Sequence, residues 1–168
     1  SLVPGEDRRV LTTVIEFGRD GARRAARVTR GWIRSRARLH YRQAQDILDG
    51  VEEAPAEVAA ALQEMRRLAR VLRERRFGEG GFEFNLPETE MRLGPDGIPE
   101  SIYRHETLET NQLIEEFMIA ANRAIGAFAF ERGLPFLFRV HQEPDAESIE
   151  RFVEIALTLL PGTSEAAL

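Results

Sequence analysis

Apolar and polar residues alternate in two stretches near the start of the chain, 9–17 and 23–37, and the Gly18-Arg19-Asp20-Gly21 between them is turn chemistry, so the pair predicts a β-hairpin. Beyond it the period changes. Residues 41–48 have the composition of a short helix closed by Asp49-Gly50. Val58, Ala61, Leu62, Met65, Leu68, Ala69 and Leu72 then recur at the i, i+3, i+4, i+7 spacing of a long helix over 55–77. Pro55 suits its first position, Glu52, Glu53 and Glu57 complement the positive end of its dipole, Arg73, Arg75 and Arg76 the negative end, and Gly78 can cap it. This helix reads as scaffold. Strand-like stretches follow at Phe82-Glu83-Phe84, 91–93 and 100–104, with Pro95-Asp96-Gly97 as a turn. Thr107 is placed to cap a central helix that runs to about Gly133, with Ile114, Phe117, Ala121, Ile125 and Phe128 on its core face. Residues 134–141 read as a buried strand, and Asp145 as the cap of a last amphipathic helix stopped by Pro161-Gly162. Together these elements predict an α+β fold, a mixed, mainly antiparallel sheet packed against helices.

The central helix carries the most informative stretch. Its run Leu113-Ile114-Glu115-Glu116-Phe117-Met118-Ile119-Ala120-Ala121-Asn122 sets two adjacent carboxylates and a carboxamide on an otherwise apolar surface, a pattern that predicts burial. Glu115 and Asn122 are seven apart and share one stripe, and a buried polar stripe must find hydrogen-bonding partners. The alternative is a pair of surface glutamates with an incidental Asn. Glu115 and Glu116 point about 100° apart, so they cannot be a facing acid–base dyad. Glu115 is expected to be the buried acceptor for a hydroxyl, and Glu116 to salt-bridge Arg123 or another nearby cation.

Composition narrows the classes of function. With 43% apolar and 30% charged residues in 168, the chain can bury a real core. It has no cysteine, which excludes disulfides and thiolate metal sites and makes a reducing cytoplasm the default setting. Its three histidines, His40, His105 and His141, are too scattered for a local metal motif. No apolar run approaches a membrane span. Every cation is Arg, and the distribution is lopsided: residues 1–42 hold eleven Arg against four acidic residues, the remainder twelve against twenty-four. From Trp32 onward Arg34, Arg36 and Arg38 alternate with Ile33, Ser35, Ala37 and Leu39, which predicts a cationic strand face, either a charge-protected edge or a phosphate contact. Phe82 and Phe84 share a face beside Gly80-Gly81, as core or as a stacking surface for a base. Tyr41 stands at a strand-to-helix junction, where its hydroxyl either reaches a ligand or ties down the corner. His141 reads as a structural histidine. No hydrolase elbow, phosphate loop, dinucleotide glycine pattern or zinc spacing is present.

Four blocks in order, Ala37-Arg38-Leu39-His40-Tyr41, residues 68–76 leading into Gly80-Gly81-Phe82-Glu83-Phe84, the run from Leu113 to Asn122, and Phe138-Arg139-Val140-His141 with Pro144, closely resemble the catalytic (RNB) domain of the ribonuclease R and ribonuclease II family. The likeness runs from Ser1-Leu2 with Asp7-Arg8 to the last helix. It implies a processive, Mg²⁺-dependent hydrolase that degrades single-stranded RNA from the 3′ end to nucleoside monophosphates. By the same resemblance, the residues matching Tyr41 and Glu115 engage ribose 2′-hydroxyls and the aromatic matching Phe84 packs against bases, with Asn122, Arg139 and His141 as further candidates for RNA contact. A phenol and a carboxylate at the sugar would distinguish RNA from DNA. Two departures stand out. His40 replaces the family's usual Thr, a poorer helix cap expected to loosen the turn that carries Tyr41. The family's Mg²⁺-binding aspartate cluster falls before residue 1 and its phosphate-binding arginine motif after residue 168. Residues 1–168 are therefore expected to be the central portion of a single RNB-like catalytic domain, without metal ligands or catalytic residues of their own and inactive alone. The alternative is a non-catalytic RNA-binding or scaffolding relative of the same fold.

Overall fold

A computed structural model describes residues 2–81, 89–94, 96–104 and 107–159. The fold is α+β. Strands β1 (Asp7–Phe17) and β2 (Arg23–Arg34) form the expected antiparallel hairpin, in register from Asp7 opposite Arg34 to Ile15 opposite Ala26, with an irregularity between Glu16 and Phe17. At its turn Gly21 is buried with φ of 73°, and a Cβ there would lie 3.1 Å from Cγ1 and 3.2 Å from the carbonyl oxygen of Val71. Both the conformation and the close approach require glycine. Val71 belongs to the long helix α2 (Ala56–Gly78), so the turn fastens the hairpin to that helix.

The cationic face does not extend as the alternation predicts. β2 ends at Arg34, because its partner strand begins at Asp7 and residues further on have no ladder to join. Ser35 makes an isolated parallel bridge to Pro4, and Arg36 and Arg38 lie exposed in irregular chain.

Helix α1 (Tyr41–Leu48) and α2 match their expected spans closely, with Pro55 at the N-cap of α2 and Glu79 at its C-cap. Ala44, Ile47 and Leu48 of α1 bury against Leu62 of α2, with Leu39, Ala54, Val58 and Ala59 packed around them. Each of the larger side chains contributes about 1.5 to 3 kcal/mol by leaving water. Farther along α2, Ala69 and Leu72 are buried, whereas Ala61, at the edge of the apolar stripe, is exposed.

Strands β3 (Thr89–Leu93) and β4 (Pro99–Arg104) pair antiparallel as a second ladder, separate from the first, so the expected sheet is two two-stranded ladders among the described residues. The central helix α3 (Glu109–Glu131) packs on α1, α2 and the hairpin. Leu108, not Thr107, is its N-cap: the Asn111 side-chain oxygen accepts the Leu108 N–H at 3.0 Å, so a carboxamide one turn in closes the helix end in place of the threonine hydroxyl.

The chain divides into two compact units, Ser1–Pro135 and Phe136–Leu168. In the second, Asp145 caps α4 (Ala146–Leu159) as expected, its Oδ1 accepting the Ser148 N–H at 2.7 Å, and this bond holds its carboxyl below the usual carboxylate range. The buried strand expected over 134–141 is absent: these residues are exposed and irregular. A strand persists only where its N–H and C=O groups pair across a ladder, and none of theirs does among the described residues. The stop at Pro161-Gly162 and the strand at Phe82-Glu83-Phe84 lie outside the described residues.

Candidate functional site

Of the two glutamates of α3, the one expected to be buried is not the one the fold buries. Glu116 is the buried one, its side chain 3% exposed, and Glu115 is 49% exposed. The cause sits on the facing helix. Along α2 the buried positions Ala69 and Leu72 continue, one turn on, to Arg76, which places a cation on the seam with α3. Arg76 Nε donates to Glu116 Oε1 at 3.1 Å and to Oε2 at 3.3 Å, and its Nη2 donates to Glu115 Oε1 at 3.3 Å. Arg73 adds a second guanidinium 3.9 Å from Glu116. Glu116 thus ion-pairs as expected, the cation being Arg76 of α2 and not Arg123, and Glu115 shares that cation.

This pairing turns α3 by about one residue from its expected orientation. The buried positions are Thr110, Leu113, Glu116, Ala124 and Ala129, while Ile114, Phe117, Ala121, Ile125 and Phe128 are only partly buried. Glu115 and Asn122 do share one stripe, seven residues apart, with Met118 between them, but that stripe faces outward. Polar groups on it need no partner within the chain.

Tyr41 opens α1 and is 48% exposed. Its position is tied to α3 through Thr110, a buried residue whose hydroxyl donates to the Tyr41 carbonyl at 2.9 Å and whose N–H donates to Gln45 Oε1 at 3.2 Å. Two hydrogen bonds therefore join the first turn of α3 to α1. His40 does not leave α1 uncapped: its Nδ1 accepts the Gln43 N–H at 3.3 Å, so an imidazole nitrogen takes the place of the hydroxyl oxygen. An open cleft of about 790 Å³ between α1, α2 and α3 is lined by Tyr41, Thr110, Leu113 and Ile114 together with aliphatic side chains of α2 such as Leu62 and Met65.

Of the remaining candidates, Phe84 lies outside the described residues, and Arg139 and His141 are exposed residues of the second unit. Thr110 and Arg76 were not singled out from the sequence as site residues. A signal for Arg76 existed: an arginine four residues beyond Leu72 on an apolar stripe requires a buried acceptor opposite. Thr110 carries no such signal, because its partners are a carbonyl and a carboxamide 69 and 65 residues away. No three His, Asp or Glu residues converge on a metal-sized site among the described residues, and Glu115 and Glu116 are both engaged by Arg76, so the residues present do not fit Mg²⁺.

The family model of the RNB domain matches residues 1–167, and the chain belongs to that family. It is 35% identical over 158 residues to ribonuclease R of Aquifex aeolicus, a match covering 92% of this chain and 22% of that protein. It is 29% identical over 170 residues to DIS3-like exonuclease 2 of Caenorhabditis elegans, covering 92% of the chain and 20% of the relative. Among solved structures, Mycoplasma genitalium RNase R in complex with ribose-methylated single-stranded RNA superposes with a TM-score of 0.88 at 22% identity, over 97% of this chain and 26% of that one. The Dss1 exoribonuclease of Candida glabrata does so at 0.74 and 20% identity, over 90% and 20% of the two chains. These likenesses establish a shared fold. The chain spans about a fifth of the length of the curated relatives.

Proposed function

We propose that this chain is the ribose-reading part of an exoribonuclease that draws in single-stranded RNA 3′ end first and releases nucleoside monophosphates in the cytoplasm. Residues 1–168 form the central portion of its catalytic domain, and Mg²⁺ is held by residues outside those described. The observation that carries the reading is the outward stripe of Glu115 and Asn122 on a helix whose first turn is hydrogen-bonded to the residue bearing an exposed phenol, Tyr41. A carboxylate accepts a 2′-hydroxyl proton, a phenol donates or accepts in turn, and deoxyribose offers neither bond. That the relatives are named ribonuclease R and exonuclease, and that structural neighbours were solved with double-stranded RNA and with ribose-methylated single-stranded RNA, supports RNA as the substrate class. Phe84 stacks on a base in this reading, and Arg139 and His141 supply further RNA contacts.

The test is single-turnover cleavage by the full-length protein of matched oligonucleotides with ribose or 2′-deoxyribose at the 3′ end. Glu115→Ala and Tyr41→Phe are each expected to narrow the ribose preference by about 1 to 3 kcal/mol. The double variant should narrow it by less than the sum, since both serve one sugar. Equal slowing of both substrates, with the preference intact, would refute the assignment.

A further inference from the structure

The seam between α2 and α3 contains a feature that ribose reading alone does not require. Arg76 grips two carboxylates at once. Its Nε and Nη2 are occupied by the buried Glu116, and the same Nη2 reaches Oε1 of the exposed Glu115 at 3.3 Å. Among the described residues Glu115 Oε2 takes no hydrogen bond, so one oxygen of that half-exposed carboxylate is tethered and the other is left for a ligand. A glutamate otherwise free to rotate about three side-chain bonds loses that freedom when it binds, at a cost that a tether removes in advance.

We propose that Arg76 is a positioning residue for RNA selection: anchored on buried Glu116, it holds the Glu115 carboxylate so that Oε2 is presented ready to accept a ribose 2′-hydroxyl. The assignment rests on the reading of Glu115 as a ribose contact and adds the device that orients it. The planar guanidinium suits the task because its nitrogens are fixed relative to one another, so the position of the buried carboxylate dictates that of the exposed one. A lysine ammonium supplies charge without that geometry.

The experiment measures equilibrium binding of the full-length protein, in chelator-containing buffer that prevents hydrolysis, to matched oligonucleotides ending in ribose or 2′-deoxyribose. Arg76→Gln with Glu116→Gln replaces the seam ions by two neutral amides, the first too short to reach as the guanidinium does, and leaves Glu115 untethered. Arg76→Lys alone keeps a cation beside Glu116 and covers the case in which the amide pair lowers stability too far, as a thermal melt would show. Either variant is expected to reduce the ribose preference by about three- to tenfold, the equivalent of ordering one long side chain at binding. In a Glu115→Ala background the same changes should reduce it no further, since there is no carboxylate left to orient. If Glu115→Ala lowers the preference and the Arg76 variants do not, the tether is irrelevant and the proposal fails while the ribose reading stands. If Glu115→Ala leaves the preference intact, the reading itself fails and takes the proposal with it. If the Arg76 variants weaken ribose and deoxyribose oligonucleotides equally and do so without Glu115, Arg76 contacts phosphate directly and the positioning role is overturned.

Discussion

Two guanidinium–carboxylate pairs in this chain have similar bonds and different surroundings. On the hairpin, Arg34 donates Nε and Nη2 to the two oxygens of Asp7 at 2.7 and 2.9 Å, with the side chains 57% and 52% exposed. In the helix seam, Arg76 Nε donates to the oxygens of Glu116 at 3.1 and 3.3 Å and Nη2 to Oε1 at 2.5 Å, with almost no water in reach of the carboxylate. Geometry alone does not separate them, since each guanidinium uses both Nε and Nη2. Solvent does separate them: an exposed pair gives up hydration for little net gain and is screened by salt, whereas removing one member of a buried pair strands a charge with little else to solvate it. The seam pair decides which face of α3 is inside, and therefore which glutamate is offered to a ligand.

The largest expected effect follows. Glu116→Ala should destabilise the protein by about 3 to 5 kcal/mol in denaturant unfolding, because Arg73 and Arg76, neighbours on α2, lose the buried carboxylate they share across the seam. Replacing both partners by apolar residues, Arg76→Met with Glu116→Leu, should recover most of that loss. A cost below about 1 kcal/mol for Glu116→Ala would place the seam pair with surface pairs and dissolve the contrast.

Between the two extremes lies a buried but neutral link. Thr110→Val keeps the shape of the side chain and removes the hydroxyl that bonds the Tyr41 carbonyl, so it should cost about 1 kcal/mol and loosen amide protection in the first turn of α1. An unchanged exchange pattern there would mean that α1 and α3 are not coupled through this bond.

Most of the fold was legible because it depends on local pattern. The hairpin with its Gly21 turn, the spans of α1 and α2, and the cap at Asp145 follow from period and end chemistry. What failed depended on partners distant in sequence. The orientation of α3 is set by Arg76, forty residues from Glu116, and the strand expected over 134–141 needed a ladder that its own residues do not reveal. The cationic face stopped at Arg34 because β1 starts opposite it, a fact about the other strand. His40 was underrated because an imidazole nitrogen can accept as a hydroxyl does. The shared stripe of Glu115 and Asn122 was correctly read from spacing, but whether it faced core or solvent was not, since helical period is silent on which side another helix will take.

The smallest expected effect belongs to the hairpin and carries its own pH signature. The hydrogen bond from Arg34 lowers the Asp7 carboxyl below its ordinary range. A lowered folded-state value means that whatever the pair contributes is fully present above the ordinary aspartate value of about 4 and is lost as pH falls through the lowered one. Asp7→Asn should therefore melt almost indistinguishably from the parent at neutral pH, and any difference should vanish on acidification and in molar salt, where an exposed pair is screened. The comparison would break in the opposite sense if Asp7→Asn proved as damaging as Glu116→Ala and remained so at high salt. Asp7 would then be holding the open end of the hairpin through a contact that water does not weaken, and exposure would no longer explain why one guanidinium fixes the orientation of a helix while the other only decorates the end of a strand.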